Sequence, residues 1–108
     1  MSKFIFLLIV GVVLHAREWL NMTLCIDRIE AVDRGIRRVD ADIGLCRFGI
    51  EYYKNKLISL RRRYAPIQDV QEAAVLFNQE NRTLGDLYTT KRDLLERKEG
   101  LEWYLLSF

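Results

Sequence analysis

A chain of 108 residues with 17 basic and 15 acidic side chains carries a formal charge of +2, so it has room for one domain at most and no global field calling for nucleic acid or an acidic substrate. One proline in that length favours long helices over a loop-rich fold. A rod of this size buries less surface than a globule of equal mass, which points to self-association or a host complex.

The chain opens with a short basic start at Lys3, followed by an uninterrupted apolar run from Phe4 to Leu14. At about 1.5 Å per residue, this run and its flank reach only about 20 Å as helix, against about 30 Å of hydrocarbon core. Continuing to Leu20 completes a span if Arg17 and Glu18 reach toward the interface and Trp19 sits at headgroup level. Residues 1–20 are therefore read as an anchor, with Phe4, Phe6, Leu7, Leu8, Val10, Val13 and Trp19 in contact with lipid. A cleaved signal segment ending near Leu14-His15-Ala16 and a helix buried against other proteins are the alternatives. Lys3 lies on one side, with Arg17, Arg28 and Arg34 on the other, so the positive-inside rule leaves orientation open.

The stretch from residue 21 to 65 has the clearest pattern. Met22, Cys25, Ile29, Val32, Ile36, Val39, Ile43, Cys46, Ile50, Tyr53, Leu57, Leu60 and Tyr64 follow one another at alternating spacings of three and four. Held for about six heptads, that repeat predicts a helix with a left-handed coiled-coil seam, and Ile29, Val32, Ile36, Val39, Ile43, Ile50, Tyr53, Leu57 and Leu60 are the expected interface. Period two would place Ile36, Arg38, Asp40 and Asp42 on one face, which no sheet buries. Flanking charges do not settle a partner's orientation across this seam: in a parallel pair Arg28 meets Asp33 and Asp42 meets Arg47, but Lys56 meets Arg61. Gly35, Gly44 and Gly49 each cost about 1 kcal/mol relative to alanine inside a helix, so the expectation is close approach of another backbone. Cys25 and Cys46, three heptads apart on one helix, cannot bridge within the chain and are read as small buried hydrophobes, with an interchain disulfide as the alternative.

The seam ends in a basic cluster, Lys54, Lys56, Arg61, Arg62 and Arg63, beside Tyr64. Cations suit the negative end of a helix dipole, and the residue before Pro66 is pushed out of the α region, so Ala65-Pro66 marks a helix end. The cluster is also the one candidate contact for an anionic partner, whether lipid headgroup, nucleic acid or an acidic protein face.

From residue 66 to 108 a broader and less regular helical stripe runs through Val70, Ala73, Ala74, Phe77, Leu84, Leu87, Tyr88, Leu94, Leu95, Leu101 and Leu105. The polar residues Asn78 to Thr83 interrupt it, predicting a kink or a solvent-facing turn. The two helical stretches are of similar length, and a short connection favours antiparallel neighbours. Residue numbers that sum to about 130 would then pair Tyr53 with Phe77, Ile43 with Leu87, Ile36 with Leu94 and Ile29 with Leu101. The expected fold is all-α, an anchor helix running on into a long heptad helix, bending at Ala65-Pro66 and folding back as an antiparallel hairpin. An open rod is the rival. In the hairpin, Trp103, Tyr104 and Phe108 return to the neighbourhood of Met22 and Trp19, an aromatic set suited to a membrane surface.

No CxxC, HExxH, glycine-rich phosphate loop or nucleophile elbow occurs, and the single histidine, His15, has no cluster around it. We expect no enzyme activity, cofactor, metal or small-molecule substrate. Asn21-Met-Thr and Asn81-Arg-Thr fit the glycosylation triplet but are read as structural. In layout only, a short anchor followed by a zipper resembles small bitopic bacterial cell-division proteins, phage inner-membrane spanins and accessory subunits of respiratory or ATP-synthase complexes. The resemblance implies a single-pass protein of a cytoplasmic or mitochondrial inner membrane that acts as a structural or assembly subunit, its partners being the membrane and other helices or copies of itself. A secreted binding module, freed of its apolar start, is the alternative.

Overall fold

The computed structural model describes residues 2–108, the side chains of Ser2 and Phe4 excepted. It contains two helices, α1 (Ser2–Arg62, 61 residues) and α2 (Ile67–Leu106, 40 residues), and no strand among the described residues.

The chain reverses where proline chemistry requires. Tyr64 takes a left-handed conformation, φ 52°. Its N–H donates to the carbonyl of Arg61 at 3.2 Å, and the N–H of Ala65 donates to the carbonyl of Leu60 at 3.0 Å. This pair of bonds satisfies carbonyls that the last turn leaves open and defines a Schellman cap. Pro66 then starts α2, its carbonyl accepting from Asp69 and Val70 at 3.0 and 3.3 Å. Asp69 in the first turn of α2 and Arg61 and Arg62 in the last turn of α1 match the two helix dipoles. The cap position normally holds glycine, because a Cβ there costs about 1 kcal/mol or more. Since Tyr64 is 95% exposed and contributes no buried contact, Tyr64→Gly should raise stability by about 1 kcal/mol, read as a higher urea midpoint with an unchanged slope. A lower midpoint would show that the tyrosine ring makes contacts worth more than the backbone strain.

Two compact units form, one from α1 up to Arg34 together with Leu95–Phe108, the other from Gly35–Leu94. In the second unit the α1 and α2 segments run antiparallel. Gly35 lies against Leu94 and Gly49 against Glu80, residue numbers summing to 129 in both pairs, in line with the fold-back register expected from helix lengths. Val39, Ile43, Cys46 and Leu60 are buried, and Ile36, Ile50, Tyr53 and Leu57 half-buried. Facing them, α2 presents Val70, Ala73, Phe77, Glu80, Leu84, Leu87, Lys91 and Leu94, all buried or half-buried. Their spacing alternates three and four without a break, so the α2 stripe is as regular as that of α1. Asn78 to Thr83 stays within the helix and, as the second of the two expectations has it, turns mainly to solvent, with Glu80 alone in a packed position.

In the other unit Cys25 and Val32 are buried, Met22 and Ile29 half-buried, and Lys98, Leu101 and Leu105 half-buried on α2. The Cys25 thiol donates to the carbonyl of Leu101 at 3.3 Å, and Lys98 pairs with Asp33 at 2.8 Å. Burying one valine or isoleucine side chain contributes about 1.5–3 kcal/mol, whereas an exposed ion pair contributes about 1 kcal/mol or less. The apolar stripes therefore hold the helices together.

The ion pairs select register instead. Lys91 lies 2.8 Å from Asp40 and Lys98 2.8 Å from Asp33. A slip of one heptad keeps one of these pairs at most and takes Glu80 away from the glycine that makes room for it.

Candidate membrane and partner interfaces

The first candidate surface is the start of α1. An 18-residue window with mean hydropathy 1.5 begins near the amino terminus, and none of it is buried. Phe6, Leu7, Leu8, Val10, Val13 and Trp19 are all exposed, and the side chain of Phe4 lies outside the described residues. Nothing on α2 covers this stretch until Met22, where packing begins. α2 runs only to Leu106, and beyond Met22 toward the start of α1 only Phe108 approaches it among the described residues.

Aromatic residues gather where the free stretch meets the packed one. Phe108 lines a shallow recess with Val12, His15, Ala16, Glu18, Trp19 and Met22. Tyr104 and Phe108 stack edge to face, with centroids 5.1 Å apart. Trp19, Trp103 and Tyr104 are 64%, 69% and 53% exposed. Such rings join an apolar body to a polar tip, the chemistry favoured at a headgroup boundary.

The second candidate is the α1 seam. Ile29 and Val32 in one unit, and Ile36, Val39, Ile43, Ile50, Tyr53, Leu57 and Leu60 in the other, lie on the face that α2 covers. Three seam residues of α2 escaped the sequence reading because they are polar: Glu80, Lys91 and Lys98. Each becomes intelligible only beside its α1 neighbour. Gly49 has no Cβ, and an added one would lie 3.2 Å from the Glu80 carboxyl, which identifies Glu80 as the group whose approach the glycine admits. The Cys46 thiol donates to the Glu80 carbonyl at 3.0 Å and to its carboxylate at 3.3 Å. At the edge of the same unit Arg47 donates to the Tyr88 hydroxyl and lies 5.6 Å from its ring centre.

Burial first, then the Glu80 carboxylate, pushes the Cys46 thiol above its ordinary pKa. The Asp33 carboxylate holds the Lys98 ammonium above its ordinary value. Both folded-state values lie above those of the unfolded chain, so the stability each contributes is full below the unfolded pKa and disappears as pH rises through the folded one. The melting temperature should therefore hold to about pH 8 and fall as pH rises past about 9. Cys46 should also resist iodoacetamide at about pH 8 until the hairpin is opened with urea. Rapid alkylation of the native chain would contradict this buried, proton-retaining thiol.

Both cysteines are free. Lys54, Lys56, Arg61, Arg62 and Arg63 are exposed and form no ion pair among the described residues. The two glycosylation triplets lie inside helices, where Thr23 and Thr83 turn their hydroxyls back to the carbonyls of Trp19 and Gln79. No group of three or more His, Cys, Asp or Glu side chains is placed to hold a metal among the described residues. Compared with protein families, characterised proteins and solved structures, the chain shows no significant match.

Proposed function

We propose that this protein is a non-catalytic, single-pass membrane protein whose helical hairpin serves as a structural or assembly subunit of a larger membrane-bound complex. One observation carries the reading: the apolar start of α1 is exposed on its described side chains, and a ring of exposed aromatics stands where intrachain packing begins. In water such a surface would exceed what a monomer tolerates. In a bilayer, hydrocarbon takes the run from Ile5, Arg17 and Glu18 reach to the interface, and Trp19, Trp103, Tyr104 and Phe108 sit among headgroups. The hairpin beyond projects from the membrane as a scaffold. Its free basic end, Lys54 to Arg63, offers a contact to an acidic neighbour in the complex.

Alkaline carbonate extraction combined with the intact mass of the mature chain tests this reading. A full-length chain retained in the membrane pellet is expected. A mature chain shorter by about the first sixteen residues would instead identify a secreted helical module and remove the anchor from its function.

A further inference from the structure

Opposite the face that packs on α2, α1 carries a second apolar stripe that the described residues leave exposed. Ala41, Leu45, Phe48 and Tyr52 recur at spacings of four, three and four, all exposed, with Leu45 at 73%, Phe48 at 75% and Tyr52 at 55%. Arg34 and Arg38 close the stripe at one end, and Asn55 and Ser59 at the other. Tyr52 is set edge-on against Tyr53 at 5.1 Å, so its ring stands ready to pack. Gly44 flanks the stripe, and a Cβ added there would meet nothing within 4 Å. Packing within the chain therefore gives no reason for a residue that costs about 1 kcal/mol in helix propensity.

We infer that this stripe is a homodimer interface, in which two copies of the chain pair their α1 helices side by side and parallel along residues 37–56. The flanking charges select the occupant. In a parallel helix pair each flanking residue faces the one five positions later on the partner helix. Arg37 then meets Asp42 of the second copy and Glu51 meets Lys56, and each pair occurs twice by symmetry. Between them Gly44 faces Gly49 of the second copy, and Gly44 adds no side chain at the midpoint. All four charged residues are exposed and form no ion pair within the hairpin among the described residues. An antiparallel pairing about Phe48 matches only Asp42 with Lys56. A lipid surface would call for basic residues on both flanks, whereas these flanks carry both signs in an order complementary to itself. The same patch serves both subunits, which closes the assembly at two.

The test is sedimentation equilibrium of the full-length chain in detergent micelles. A reversible dimer is expected, and Leu45→Glu with Phe48→Glu should raise its Kd at least about tenfold. The thermal melt of the hairpin should stay in place, because neither side chain is buried against α2. Lys56→Glu should weaken the dimer, and adding Glu51→Lys should restore it. Ala41→Cys should crosslink copy to copy on mild oxidation. A monomeric wild type, a dimer indifferent to the Leu45 and Phe48 changes, or rescue of Lys56→Glu by Asp42→Lys in place of Glu51→Lys would overturn the proposal.

Discussion

Ile43→Asp should abolish the cooperative unfolding transition of the Gly35–Leu94 hairpin, lowering its stability by about 4 kcal/mol or more. Ile43 is 6% exposed and lies in the middle of the α1 seam. The substitution removes the contribution of a buried isoleucine, about 1.5–3 kcal/mol, and adds an unpaired carboxylate beneath α2. An exposed change such as Arg92→Asp provides the comparison, since surface substitutions usually stay within about 0.5 kcal/mol. The Ile43→Asp defect should also shrink with acid: burial raises the folded carboxyl's pKa, so the penalty is full at neutral pH and fades as the group protonates below about pH 5. Circular dichroism melts at two pH values read both effects. If the two variants melted alike at neutral pH, the seam would not be what holds α1 to α2.

How much of this arrangement is visible in the amino-acid order depends on whether a packed position is apolar. On α1 every seam position from Met22 to Leu60 is apolar or weakly polar, so periodicity alone marks the face, and Pro66 marks the reversal. On α2 the same alternation holds but passes through Glu80, Lys91 and Lys98, and a hydrophobicity pattern breaks at each of them. Their partners, Gly49 with Cys46, Asp40 and Asp33, lie tens of residues away in sequence, so no local window could have shown why a charge is tolerated there. The three glycines of the heptad stretch, Gly35, Gly44 and Gly49, divide in the same way. Gly35 and Gly49 each meet the end of an α2 side chain, where their cost implies a neighbouring backbone, while Gly44 meets none. The apolar start of α1 is legible as composition, but the aromatic set beside it is not: Phe108 joins Trp19 and Met22 only through the fold-back, which a contiguous apolar window cannot register.

That aromatic set bears on the second large effect, the loss of membrane retention in a chain carrying Leu8→Arg and Val10→Arg. Both positions lie in the exposed apolar start of α1, at 59% and 38% exposure, with no protein surface to shelter a guanidinium. On translocon-derived scales each charge near a helix centre costs about 2.5–3.5 kcal/mol, so the pair costs about 5–7 kcal/mol, three or more powers of ten in partition. The aromatics cannot compensate, because rings at the headgroup boundary stabilise an inserted helix without replacing its hydrocarbon contact. Truncating Trp103 to alanine should therefore leave most of the chain in the membrane pellet, while the double arginine variant should move to the soluble fraction or aggregate. The hairpin of Gly35–Leu94 should keep its melting behaviour in the released protein, since neither substitution touches it. Unchanged fractionation of the double variant would mean that the start of α1 is held by other proteins and not by lipid.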